Sequence, residues 1–139
     1  MSFTITPNTF VAAVTPTVSM RCDVADSGSE LSQLLLIQVE VQDRGNMVPM
    51  VTLTPGTAPK IMESGLEKQL SVDGSISQFL DIGKSYLSVG YSFPGIDVAG
   101  NYTCVVSGLS TSGLLVRFSE TATLSVGGAS NASSLHTPL

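Results

Sequence analysis

The sequence predicts an all-β fold of many short strands, and three observations carry that prediction. Apolar and polar residues alternate with a period of two in several separate runs, the pattern of strands that bury one face. The chain has 13 Gly and 7 Pro but only 12% charged residues, as expected where turns are frequent. Its 139 residues, 42% of them apolar, suffice for one domain with its own core.

Taken in order, residues 3–14 alternate loosely around Pro7. Proline cannot donate to a ladder, so this stretch reads as an edge strand that breaks and changes sheet partner. From Thr17 to Val24, Val18, Met20, Cys22 and Val24 share one face, and Ser19, Arg21 and Asp23 the other. Ala25 to Leu31 is polar and reads as a loop. Residues 33–42 alternate again, with Leu35, Ile37, Val39 and Val41 inward. Asp43-Arg44-Gly45-Asn46 supplies a hairpin turn in which Gly45 and Asn46 can take positive φ, and Met47 to Thr54 forms a strand bent by Pro49. Pro55 to Glu63 reads as a loop, and Lys68 to Val72 as a short strand ended by Asp73-Gly74. Residues 75–84 have no clean period and are assigned a short strand with a turn at Gly83-Lys84. Leu87, Val89, Tyr91 and Phe93 alternate up to Pro94-Gly95. Tyr102, Cys104 and Val106 point inward on the next strand, and Ser107 to Gly113 is a Ser/Gly loop. Residues 114–126 form the last strand, where Val116, Phe118, Ala122, Leu124 and Val126 share a parity that Glu120 interrupts; a bulge or sheet end near Ser119 is the expected resolution. Residues 127–139 are small and polar and read as a linker or tail behind a domain of residues 1–126.

Composition narrows the function. A net charge of −5 argues against nucleic acid and anionic membrane as partners. The longest apolar run, Leu34 to Ile37, is too short to span a bilayer, so no membrane insertion is expected. No basic residue followed by an apolar segment opens the chain, so no secretory signal is visible. Two widely spaced cysteines suit one structural disulfide in an oxidising compartment better than a metal site, with two free buried thiols as the alternative. His136 is the sole histidine and lies in the polar tail, which leaves nucleophilic triads without an ordered base. No cofactor or metal motif is present, and the chain is read as non-catalytic.

The run Val98-Ala99-Gly100-Asn101-Tyr102-Thr103-Cys104, with a Tyr two residues before a Cys, resembles the tyrosine corner of an immunoglobulin domain. That resemblance implies an immunoglobulin-like Greek-key sandwich of two antiparallel sheets. It also implies one cross-sheet disulfide, Cys22 to Cys104, and a Tyr102 hydroxyl bonded back to the preceding turn. The chain departs from the variable-type pattern in three places. It has no Trp, so Leu35 or Ile37 must fill that volume. Val98 stands where an Asp is usual, with Asp97 one place early. Phe118-Ser119-Glu120-Thr121 replaces the glycine bulge of the last strand.

More narrowly, Gly83-Lys84-Ser85-Tyr86-Leu87-Ser88-Val89, Tyr91-Ser92-Phe93-Pro94, Ala99-Gly100-Asn101-Tyr102-Thr103-Cys104 and Ser107-Gly108 are similar to the N-terminal immunoglobulin domains of molluscan fibrinogen-related proteins. The resemblance implies a module of a secreted innate-immune lectin, excised from a longer chain, that serves pathogen or glycan binding or assembly. An adhesion or receptor ectodomain is the alternative. Asn101-Tyr102-Thr103 and Asn131-Ala132-Ser133 fit the N-glycosylation pattern. With Leu35 and Ile37 inward, Leu34 and Leu36 face out, and with Val105, Leu115 and Arg117 they outline a partner surface. The partners expected there are a protein, a pathogen-surface glycoconjugate, a second copy of the chain or a neighbouring domain.

Overall fold

The computed structural model describes residues 1–62 and 69–127. Ten strands occur among them: β1 (Ser2–Thr6), β2 (Thr9–Phe10), β3 (Thr17–Asp23), β4 (Leu31–Asp43), β5 (Asn46–Leu53), β6 (Lys60–Ile61), β7 (Leu70–Ser75), β8 (Tyr86–Ser92), β9 (Gly100–Ser110) and β10 (Leu115–Val126). They make two sheets, a four-stranded one ordered β1-β3-β8-β7 and a six-stranded one ordered β2-β10-β9-β4-β5-β6. Every described pairing is antiparallel except that of β2 with β10. The chain changes sheet between β1 and β2, at Pro7 as expected, where the Thr6–Pro7 bond is cis.

The two inner faces meet in one apolar core. Val18, Met20, Cys22, Leu87 and Val89 come from the four-stranded sheet, and Ile37, Val39, Val51, Cys104 and Val106 from the six-stranded one. Cys22 and Cys104 are bonded across the sandwich with Cα atoms 6.2 Å apart. The connection closes a loop of 82 residues and ties the central β3 to the central β9. The chain has no Trp, and β4 contributes the wholly buried Leu34 and Ile37 to this core.

Several elements differ from the sequence reading. Ala25–Glu30 is a 3-10 helix rather than an open loop, and Leu31 already belongs to β4. Residues 79–84 are a 3-10 helix, not a strand; its Phe79 has φ +60°. Asp73 and Gly74 are not a turn but paired residues of β7, opposite Ser88 and Leu87. Lys68 lies outside the described residues. Residues 60–61 form a short strand within the expected loop, and β9 runs three residues past Ser107 before turning. In the β4–β5 turn the residues at positive φ are Arg44 and Gly45, as a two-residue hairpin requires, while Asn46 begins β5.

The most consequential difference is in β4. Its pairing with β9 slips between Leu31 and Gln33 and again between Leu34 and Leu36. The second slip inverts the alternation, so Leu34 enters the core and Leu35 is only half-buried. A bulge leaves backbone groups without ladder partners, and here the Gln78 side chain supplies them. Its Oε1 accepts from the Leu34 N–H (3.0 Å) and its Nε2 donates to the Leu34 carbonyl (2.9 Å). Gly108, opposite Leu34, is required by the same bulge: a Cβ there would lie 2.3 Å from the Gln33 carbonyl oxygen.

No bulge breaks β10, whose register with β9 is continuous from Leu115 to Leu124. Glu120 keeps the inward parity but sits at the open edge of the sandwich, where Oε1 accepts the Phe3 N–H of β1 (3.2 Å). A carboxylate there satisfies an edge donor that no strand reaches.

Candidate partner-binding face

Strand pairing fixes which side chains share the outer face of the six-stranded sheet. Because Cys104 and Tyr102 point inward, Asn101, Thr103, Val105, Ser107 and Leu109 of β9 point outward. Their partners complete rows across the strands. Asn101 lies beside Thr123 of β10 and Gln42 of β4, and Thr103 lies between Thr121 and Glu40. Val105 lies between Ser119 and Gln38, and Ser107 between Arg117 and Leu36. Leu109 pairs with Leu115 and Gln33.

The lower rows satisfy one another. Thr123 donates to Asn101 Oδ1 (2.7 Å), Asn101 Nδ2 donates to Gln42 Oε1 (2.8 Å), and the Thr103 and Thr121 hydroxyls are 2.8 Å apart. Thr52 of β5 donates to Gln38 Oε1 (2.9 Å), whose Nε2 donates to Glu40 Oε2 (2.8 Å). The upper rows are different in kind. Leu115 is 72% exposed, Leu114 beside it is exposed, Leu36 and Leu109 are half-buried, and Arg117 makes no ion pair among the described residues.

The outer face of the four-stranded sheet offers a contrast, since its charges are spent internally. Arg21 Nε lies 3.1 Å from both Asp23 carboxylate oxygens, and its guanidinium stacks 4.2 Å from the Tyr86 ring centroid. The Tyr86 hydroxyl donates to Asp73 (2.8 Å), and that bond, more than burial, raises its pKa above the usual tyrosine value.

Of the residues expected on a partner surface, Leu36, Leu115 and Arg117 lie together on this face. Val105 points outward at its centre but is only 2% exposed. Leu34 does not belong there; the β4 bulge turns it into the core, a device that period-two reading cannot detect. Asn101 is exposed on the lowest row with its amide bonded on both sides, while Asn131 and His136 lie outside the described residues, as do residues 128–139 of the expected tail.

At the lower pole of the sandwich Tyr102 forms the expected corner. Its hydroxyl donates to the Val98 carbonyl and lies 3.3 Å from the Tyr91 hydroxyl. Burial, then the neighbouring Tyr91 and Asp97, pushes its pKa far above the ordinary value, so it stays a phenol at any physiological pH. Beside it opens a cleft of about 340 Å³ bordered by Met50, Gln69, Tyr91 and Asp97. Asp97 is exposed and makes no ion pair among the described residues. That cleft contains no nucleophile–base pair, and no group of three or more His, Cys, Asp or Glu able to hold a metal occurs among the described residues.

Solved structures match this fold over nearly the whole chain. Murine CRIg superposes with a TM-score of 0.64 at 17% identity, covering 91% of this chain and 98% of that one. The fold is immunoglobulin-like. A second chain, from a structure described as the structural basis of T cell specificity and activation by the bacterial superantigen toxic shock syndrome toxin-1, gives 0.63 at 12% identity with the same coverage. No family model and no curated protein matches the sequence.

Proposed function

We propose that this immunoglobulin-like domain is a non-catalytic recognition module that engages a protein partner through the outer face of β10, β9, β4 and β5. The supporting observation is the division of that face: its lower rows are closed among themselves, whereas Leu115 and Arg117 are exposed beside a half-buried Leu36, and Arg117 makes no ion pair among the described residues. Exposed apolar side chains gathered on one sheet mark a contact surface, Arg is enriched at such surfaces, and the sheet beneath holds them in place. The buried disulfide fits an extracellular setting, and secretion is part of the proposal.

The narrower role, a module of a secreted innate-immune lectin that binds pathogen glycoconjugates, rests on the sequence resemblance alone. A cell-surface adhesion or receptor role uses the same face. The test is a binding screen against microbial cells, a glycan array and the protein itself, run with wild type and with the Leu36→Asp, Leu115→Asp double variant. Loss of at least about tenfold in affinity for whatever wild type binds supports the face. A variant that folds and binds as wild type does contradicts it.

A further inference from the structure

One motif lies on this face but away from its exposed upper rows: the sequon Asn101-Tyr102-Thr103. It sits on the central strand β9, not in a loop, with Asn101 outward and exposed while Tyr102 and Cys104, on either side of Thr103, are buried. The Asn101 amide is held from both flanking strands. Its Oδ1 accepts from Thr123 (2.7 Å), one N–H of Nδ2 donates to Gln42 Oε1 (2.8 Å), and the second N–H has no acceptor among the described residues. An asparagine that bears a sugar keeps its carbonyl and one N–H and gives up the other. The folded domain can therefore carry a sugar on Nδ2 with both side-chain bonds intact.

We infer that Asn101 carries an N-linked glycan, attached to the nascent chain before β10 pairs with β9, and that this glycan covers the lower rows and reserves the upper rows for the partner. The inference rests on the reading of the chain as secreted and of this face as its contact surface. In the attachment step the Asn101 amide nitrogen attacks the anomeric carbon of the first sugar of a lipid-diphosphate-linked oligosaccharide. The new bond is Nδ2 to that carbon, the bond from the carbon to the phosphate oxygen breaks, and the lipid diphosphate leaves with the electron pair. One amide proton passes to a base of the host transferase, and nothing is oxidised or reduced.

The order of events follows from the contacts of the sequon. The pattern requires the Thr103 hydroxyl as well as the amide. In the folded domain Thr103 is buried and its hydroxyl lies 2.8 Å from that of Thr121, so a transferase cannot reach it. Thr121 and Thr123, which engage the sequon from β10, lie 18 and 22 residues downstream and are made later than Asn101. The sequon is thus open on the growing chain and closed once β10 has docked.

Position decides what the glycan does. Asn101 stands six residues before Ser107, the residue flanked by Arg117 and Leu36, which is about 20 Å along the strand. A bulky, solubilising group there lies over rows whose polar side chains already satisfy one another, and it leaves the exposed leucines clear.

The experiment produces the full chain behind a cleavable secretory signal in cultured eukaryotic cells. Peptide mass spectrometry then follows treatment with peptide N-glycosidase in heavy-oxygen water, which turns each glycan-bearing Asn into a labelled Asp. Asn101 should be labelled in most wild-type molecules, in none of the Thr103→Val variant, and again in Thr103→Ser; wild type unlabelled at Asn101 overturns the inference. Sugar-free chain, folded with its disulfide formed, should accept oligosaccharide from purified transferase at least about tenfold more slowly than the same chain reduced and unfolded, since only opened molecules can react. Equal rates overturn the proposed order. Enzymatic removal of the glycan from the folded protein should leave the affinity for a ligand from the binding screen within about twofold, and a gain of about tenfold or more would place the contact on the lower rows instead. If Asn101 is bare while the Leu36→Asp, Leu115→Asp variant still loses its ligand, the glycan alone is wrong. If Asn101 is labelled and that variant binds as wild type does, the face is wrong and the modification stands.

Discussion

Removing one oxygen from the lower pole has a calculable consequence. Tyr102 is 1% exposed, its hydroxyl donates to the Val98 carbonyl, and it contacts the Tyr91 hydroxyl. Tyr102→Phe keeps the ring and deletes both interactions, taking from a buried carbonyl its tyrosine donor at a cost of about 2 kcal/mol. For a domain of this size that lowers Tm by about 8 °C.

The same hydroxyl controls the alkaline limb of stability. Its folded pKa lies far above the value of about 10 that it has in the unfolded chain, chiefly through burial. Between those two values the folded state retains a proton that the unfolded state has released. The contribution is therefore complete below pH about 10, and it falls by about 1.4 kcal/mol for each pH unit above. The Phe variant lacks this dependence. Denaturant unfolding followed by far-UV circular dichroism should show wild type more stable by about 2 kcal/mol at pH 8, with the gap closed near pH 11.5. Parallel loss of stability in both proteins, or a variant as stable as wild type at pH 8, refutes the assignment of Tyr102 as a buried, hydrogen-bonded corner.

Two further outcomes follow from the core. Leu34→Ala should cost about 3 kcal/mol because Leu34 is wholly buried, whereas Leu36→Ala on the outer face should cost under about 1 kcal/mol; equal costs in thermal melts would remove the β4 bulge from the account. Cys22→Ser opens an 82-residue loop and should destabilise the domain by roughly 4–5 kcal/mol on the chain-entropy model, lowering Tm by more than about ten degrees in non-reducing buffer. An unchanged melting curve would contradict the structural role of the disulfide.

The fold was legible where one face of a strand is buried and pairing is regular. β3, β8 and the inward positions of β9 follow a period of two without interruption, and Tyr102 and Cys104 sit in phase with them. Legibility ended where a distant group overrides local pattern. Leu34 is inward because Gln78, 44 residues away, bonds its backbone, and neither residue announces that contact. Glu120 looked like a fault in β10 because its role is to accept from Phe3, 117 residues away. The 3-10 helix at residues 79–84 lacks any period long enough to read. For the candidate face, Leu36, Leu115 and Arg117 were recoverable from parity, yet that Arg117 and Leu36 flank the same residue, Ser107, needs the register of three strands.

The central claim is that the outer face of β10, β9, β4 and β5 is the working surface. 1H–15N correlation spectra recorded while a ligand taken from the binding screen is titrated in test this residue by residue. Ligand-dependent shifts should gather at Leu36, Leu115, Ser107 and Arg117 and spare Arg21, Asp73 and Tyr86 on the opposite sheet. Shifts centred on that opposite sheet would contradict the claim.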